Sequence, residues 1–220
     1  MMYLQHCCCG GNVLTVNRIE TPWGPWEAAS LSEVTALFST AQVPWWIAGG
    51  YAIELAVGHP FREHEDIDVL LLRRDQLSVQ EVLPAWEWWA ADPPGTLRPW
   101  KRGEILPVDV HDLWCRPGPS EPWQIQVMLD EADGSEWISR KSSQVRRPID
   151  EIGAVSGEGV PYLLPEVQLF YKAGRPRPKD EQDFSAALGV MTEEQRQWLG
   201  SAIALAYGSR PWAARLGLPG

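Results

Sequence analysis

An α+β fold is predicted, with a mixed sheet flanked by helices and a small helical unit after it, and three observations predict it. A buried strand runs into Gly49-Gly50 and a helix, and is followed by an apolar strand that carries Asp66 and Asp68. Several short strand-like runs separated by turn signals fill residues 96–139, and from Pro165 onward the apolar periodicity is helical.

Along the chain, residues 1–27 are rich in Gly, Pro and Trp without periodicity and read as an N-terminal extension, folded over the body or partly disordered. Ser30 and Glu33 then form a capping-box pattern ahead of Val34, Leu37 and Phe38, which share one face of a short helix. Residues 43–48 read as a buried strand closing on Gly49-Gly50, and 51–57 as a helix ended by Gly58 with Pro60 beyond it. The strand at 66–72 alternates Ile67, Val69 and Leu71 with Asp66, Asp68, Leu70 and Leu72, so the two aspartates are expected on one face. A helix is expected over 75–86, then strands at 96–100, 105–114, 123–129 and 136–139, with a hairpin signal at Ala132-Asp133-Gly134. The Gly/Ser-rich stretch 153–159 marks a junction, and helices follow at 165–173, 179–188 and 192–207, the last opened by a Thr192/Gln195 capping box. The expected division is therefore 28–150 for the sheet domain and 160–215 for the helical one.

Composition removes several function classes. The 220 residues carry 19 Lys+Arg against 29 Asp+Glu, a net charge of −10, which opposes docking on phosphate backbones or anionic membranes. A chain of this length buries roughly 70% of its unfolded surface and needs no disulfide or structural metal. Cys7, Cys8 and Cys9 are consecutive, without the spacing that aims zinc ligands at one point, and Cys115 is isolated. No signal peptide or membrane span is seen, so a reducing, cytoplasmic setting is expected.

Two features carry chemistry. Gly49-Gly50 ends a strand and opens a helix, where backbone N–H groups can receive phosphate without side-chain obstruction. Asp66 and Asp68 are like charges a few residues apart in an apolar strand, an arrangement that repels unless a divalent cation lies between, and hard oxygen ligands favour Mg²⁺. Either feature alone is commonly a turn or a solvated edge; the two on consecutive elements are hard to explain structurally. The four histidines, His6, His59, His64 and His111, read as tail, turn and loop residues, with His111 a candidate behind the site, and most of the 13 tryptophans read as packing.

At these residues the chain resembles a family. Trp46-Ile47-Ala48-Gly49-Gly50-Tyr51-Ala52-Ile53-Glu54-Leu55, with Gly58 and Arg62-Glu63-His64-Glu65-Asp66-Ile67-Asp68-Val69, is similar to the antibiotic nucleotidyltransferases of the DNA polymerase β superfamily, nearest the aminoglycoside 2″-adenylyltransferase and lincosamide nucleotidyltransferase group. Tyr162-Leu163-Leu164-Pro165-Glu166-Val167-Gln168-Leu169-Phe170-Tyr171-Lys172-Ala173, followed by Lys179-Asp180-Glu181-Gln182-Asp183-Phe184, is similar to the helical segment of those enzymes.

The resemblance implies a polymerase-β-like fold and transfer of a nucleoside monophosphate from a triphosphate, ATP first, to a hydroxyl of a small acceptor, a polycationic one suiting the acidic chain. Asp66 and Asp68 would hold Mg²⁺, Gly49 and Gly50 would cradle the β- and γ-phosphates, and Arg62 and Lys172 would contact phosphate. The family usually carries a third carboxylate on a neighbouring strand, but the strand aligned to it has Gln124 and Gln126. Asp109, sharing a strand face with His111, is the first choice for it; Asp112, Asp130 or no third carboxylate remain open. The metal site is expected at one edge of the sheet. Two other readings stand beside this one: modification of RNA or protein, if Arg140, Lys141, Arg146, Arg147, Arg175, Arg177 and Lys179 gather on one surface, and a catalytically silent nucleotide-binding protein.

Overall fold

The computed structural model describes residues 19–217, so His6 and Cys7–Cys9 lie outside the described residues. The described chain opens with a hairpin of β1 (Ile19–Thr21) and β2 (Gly24–Trp26), then α1 (Leu31–Phe38), β3 (Trp45–Ala48), α2 (Gly49–Val57) and β4 (Asp68–Leu72). A helical turn at Arg73–Asp75 leads to α3 (Ser78–Val82), β5 (Glu87–Ala90), β6 (Arg98–Pro99), β7 (Asp112–Arg116), β8 (Ile125–Asp133), β9 (Glu136–Ile138) and β10 (Arg146–Pro148). After β11 (Gly153–Val155) and β12 (Pro161–Leu163) come α4 (Pro165–Ala173), α5 (Pro178–Leu188), α6 (Glu193–Tyr207) and α7 (Pro211–Arg215).

Local chemistry sets these boundaries. Ser30 accepts from the Glu33 N–H while the Glu33 carboxylate accepts from the Ser30 N–H, which starts α1. Thr192 and Gln195 do the same for α6. Gly58 closes α2 at φ 85°, a left-handed conformation that a Cβ would disfavour. Proline opens α4, α5 and α7, where its missing N–H costs nothing.

The main sheet is mixed, in the order β11-β12-β3-β4-β8-β7-β5-β6, with β9 and β10 continuing from β8. Strand β4 pairs antiparallel with β3 and parallel with β8. Period-two alternation gives the sheet two unlike faces. Ile47, Val69, Leu71, Leu113, Val127 and Leu129 form a buried apolar face that packs with Val34 and Phe38 of α1 and Val79 and Val82 of α3. On the opposite face, Trp46, Ala48, Leu70 and Leu72 pack with α2 and the C-terminal helices, so those helices share a core with the sheet. Among the described residues no helix is long and apolar enough to cross a membrane.

Several expectations are corrected. Strand β4 lies inside the sheet, fourth in its order, so the aspartates are not at a sheet edge. Asp66 precedes β4 instead of lying in it, although Gln126 N–H still bonds the Ile67 carbonyl at 3.1 Å. The expected strand 105–114 begins only at Asp112: Ile105 and Val108 are exposed, and Pro107, which has no N–H to donate, starts a turn closed by Val110 N–H. The helix expected over 75–86 shrinks to α3, and the tryptophan run after it becomes β5, because Trp88 and Ala90 point into the apolar core while Trp89 points to the other face. The Gly/Ser-rich 153–159 stretch includes the turn of the β11–β12 hairpin, which extends the sheet beside β3.

Candidate active site

The site begins where β3 becomes α2. Gly49 has φ 66°, and a Cβ there would fall on the Asp68 carboxylate; a Cβ on Gly50 would fall on the Arg62 guanidinium and the His64 ring. Glycine is therefore required twice, once for backbone conformation and once for close approach. Ala48 at the N-cap offers no side-chain hydrogen bond, and the Gly49 N–H donates to Oε1 of Gln168 at 2.9 Å. The first N–H of α2 is thus held by Gln168, with the Asp68, Arg62 and His64 side chains close against the turn.

Opposite this turn, Asp68 is half-buried. Burial pushes its carboxyl up to about 7, with the Asp66 charge adding to the shift and Asp112 also raising it, against Lys172 and Lys179. An oxygen-donor pair whose mutual repulsion resists ionisation fits a hard divalent cation. Among the described residues no set of three or more His, Cys, Asp and Glu side chains could hold a metal. The protein would supply two carboxylates, Asp66 and Asp68, and leave the rest of the shell to substrate phosphates and water, which suits Mg²⁺. Lys179 Nζ lies 3.5 Å from Asp66 and 3.8 Å from Glu65.

The neighbouring strands decide what can accompany this pair. Gln126 on β8 is the direct partner of Asp68, and its Nε2 donates to Asp112 Oδ1 of β7 at 3.2 Å. Asp112 thus stands on the Asp68 face, one strand beyond the glutamine. Asp109 is instead exposed in the 107–110 turn, off the strand that was expected to present it. Asp130 is fully buried opposite Leu72, accepting from Trp137 Nε1 at 2.8 Å and Tyr171 Oη at 2.6 Å, with its carboxyl raised by burial.

The two expected phosphate contacts have unequal fates. Arg62 commits its fork to Asp183, Nε to Oδ1 at 2.6 Å and Nη2 to Oδ2 at 3.1 Å. Lys172 Nζ lies between Asp180 at 2.9 Å and Asp183 at 3.0 Å, and it also lines a cavity of about 520 Å³ that reaches Gly49 and Asp68. Lys141, Arg175 and Arg177 line the same cavity, with Tyr171 and Tyr207 as aromatic walls. The other basic residues do not join a surface patch: Arg147 pairs with Glu166, Arg146 with Glu136, and Arg140 lies by Asp130.

Sequence reasoning did not single out Gln168, or place Lys141, Arg175 and Arg177 at the site. For Gln168, Arg175 and Arg177 the signal was their place in or between the two halves of the second motif, which forms α4 and α5; Lys141, between β9 and β10, carried none. His64 was read as a loop residue; its Nε2 meets Glu54 at 2.7 Å, its ring stacks on Tyr51 at 4.1 Å, and its buried Nδ1 has no hydrogen-bond partner among the described residues. His111 bonds with Arg73 at 3.0 Å.

A sequence model of the aminoglycoside-2″-adenylyltransferase family matches residues 30–187, a span that includes the glycine turn, both aspartates and the cationic helices. The chain belongs to that family. It is therefore a member of a family of nucleotidyl-transferring enzymes. No curated protein sequence matches it. Among solved structures, the crystal structure of ANT(2″)-Ia in complex with adenylyl-2″-tobramycin superposes with TM-score 0.52 at 14% identity, covering 79% of this chain and 95% of that one. The solution structure of ANT(2″)-Ia gives TM-score 0.51 at 15% identity over 79% of this chain and 88% of that one. Lincomycin-bound LnuA, a lincosamide adenylyltransferase, gives 0.49 at 16% identity over 73% and 96%. The ANT(2″)-Ia likenesses establish the shared fold, a polymerase-β-like sheet followed by helices.

Proposed function

We propose that the protein transfers the nucleoside monophosphate of ATP to a hydroxyl of a small acceptor and releases pyrophosphate. The observation that carries this reading is the placement of Gly49 and Asp68 in the wall of a cavity whose cations are Lys141, Lys172, Arg175 and Arg177. Four positive side chains in one recess, of which Lys172 and Arg177 share Asp180, suit a polyanion of triphosphate size in a chain of net charge −10. Mg²⁺ held by Asp66 and Asp68 would neutralise charge on the phosphoryl oxygens during in-line displacement.

The chain's own groups supply the rest. The Gly49-Gly50 turn and the start of α2 receive the β- and γ-phosphates, and Lys172 adds a point charge held in place by two aspartates. Arg62 braces α5 through Asp183, and it positions Lys172 through that shared carboxylate. As the acceptor oxygen bonds to the α-phosphorus and the bond to pyrophosphate breaks, the hydroxyl proton needs a base. Gln126 cannot take it. Asp112, which the Gln126 amide orients, is the group assigned to that role here, in place of Asp109.

The glutamine opposite Asp68 also favours one alternative, a nucleotide-binding protein that no longer turns over. Incubating the protein with Mg²⁺, each triphosphate and a panel of aminoglycosides, lincosamides and RNAs, then measuring pyrophosphate and adducts, separates the readings. Transfer to a small acceptor that Asp68→Asn abolishes supports the proposal. Nucleotide binding without pyrophosphate release across the panel would leave the silent reading.

A further inference from the structure

The Gly49 N–H is met by a side chain from a distant element, because Gln168 of α4 brings its Oε1 to within 2.9 Å of it. Only the oxygen of a carboxamide accepts, so this bond fixes which way round the amide lies. Nε2 is the end left over. It has no hydrogen-bond partner among the described residues, yet it is not sealed off, although Gln168 as a whole is only 5% exposed. The surface that Gln168 keeps is in the wall of the cationic cavity, beside Gly49, Asp68 and Lys172.

Helical spacing gives this amide a companion. Gln168 and Lys172 are four residues apart on α4, so an NH2 group and an ammonium stand in one column on the face that lines the cavity. Lys172 is held by Asp180 at 2.9 Å and Asp183 at 3.0 Å, and Gln168 is held by the glycine turn. Two carboxylates of the same wall, Asp68 and Asp180, accept nothing from Nε2 among the described residues. A group that can only donate, set beside a fixed positive charge, suits an acceptor-rich anion.

We infer that Gln168 is a phosphate-binding residue whose Nε2 donates to a nonbridging oxygen at the β,γ end of the triphosphate while its Oε1 keeps the Gly49 N–H. The inference rests on the nucleotidyl-transfer reading and deepens it. At the first residue of α2, the donor that meets the phosphate chain is the glutamine amide in place of the backbone N–H. The same side chain joins α4 to the turn, so both walls of the seat are set by one residue.

The test is calorimetric titration of the full chain with inorganic tripolyphosphate, and with magnesium and a nonhydrolysable ATP analogue, in the wild type, Gln168→Met and Gln168→Glu. Methionine keeps the length and removes both ends of the amide; glutamate keeps an oxygen for the Gly49 N–H and turns the donor into an anion. Gln168→Met is expected to weaken both ligands about tenfold, the loss of one hydrogen bond to a charged acceptor. Gln168→Glu should weaken them at least about a hundredfold, because a negative oxygen then faces phosphate. A role confined to holding the turn predicts the opposite order, with Gln168→Glu near wild type and Gln168→Met weakest, and that order overturns the inference. Wild-type affinity in Gln168→Met, with only Gln168→Glu weakened, overturns it as well, since charge alone would explain it. A second measurement reads the contact directly: the Gln168 side-chain amide resonance, identified by its absence in Gln168→Met, should move on adding the magnesium-bound analogue and stay in place with AMP. An amide unmoved by the analogue overturns the contact. If the wild type transfers nucleotide to a small acceptor and Gln168→Met leaves the ATP KM unchanged, the contact fails while the transfer reading stands. Triphosphate binding that follows the variants, with no pyrophosphate released for any acceptor, sinks the transfer reading and leaves the contact.

Discussion

Along β4 and the residue before it, neighbouring side chains enter opposite environments. Ile67, Val69 and Leu71 are buried in an unbroken apolar layer under α1 and α3. Asp68, Leu70 and Leu72 face the other way, where the C-terminal helices cover the leucines and leave Asp68 at the cavity. One face is closed and uniformly hydrophobic; the other changes along its length from packing to chemistry. The same strand can serve both ends because a two-residue period lets each side be written independently.

The sharpest way to break this comparison is to change adjacent faces separately. Asp68→Asn is expected to lower kcat/KM at least about a thousandfold, since a metal carboxylate contributes several kcal/mol to the transition state. Its stability should not fall, because the lost charge is one that burial and Asp66 oppose. Leu71→Ala should do the reverse, costing about 2–5 kcal/mol in urea unfolding while activity per folded molecule is unchanged. Retention of more than a tenth of the activity in Asp68→Asn would overturn the assignment of the pair.

Next in size is the place where the polar face carries stability too. Asp183 is fully buried and holds both Arg62 and Lys172. Asp183→Ala leaves two nearly buried cations without that partner, and about 3–5 kcal/mol of destabilisation is expected. A loss under 1 kcal/mol would mean that α5 docks by its apolar contacts alone. Smaller again is Asp112→Asn, which should lower kcat about a hundredfold with little change in nucleotide KM. Asp109→Asn should stay within twofold of wild type, and the reverse ranking of these two would restore the turn residue as the base.

The legible parts of the molecule are those where local chemistry and tertiary packing agree. The capping boxes at Ser30 and Thr192 and the Gly58 stop all stand as the sequence indicates, because each is closed by residues within a few positions. The register of Asp68 against Gln126 was not legible. It depends on β8 lying parallel to β4, a pairing that no local signal encodes. Asp109 was favoured over Asp112 because a strand over 105–114 would put it on one face with His111, and the turn that Pro107 starts removes it from that strand. Arg62 was given to phosphate because nothing near it in sequence shows that Asp183, on α5, occupies its fork.

The smallest effect tests whether the closed face is independent of the site. Ser30 caps α1, whose Val34 and Phe38 pack under the sheet. Ser30→Ala should cost about 1 kcal/mol at neutral pH and change neither nucleotide nor acceptor KM. Its pH dependence has a definite sign. The hydrogen bonds from the Ser30 hydroxyl and then the Ser30 N–H hold the Glu33 carboxyl below the usual range. A depressed folded pKa means that the linked stability is fully present above the unfolded value of about 4.3 and is lost as pH falls through the folded one. The gap between wild type and Ser30→Ala in urea melts should therefore narrow between neutral pH and strongly acidic pH. A gap of constant size would assign the loss to helix propensity instead of the reciprocal cap, and a shift in either KM would show that α1 is coupled through the sheet to the polar face.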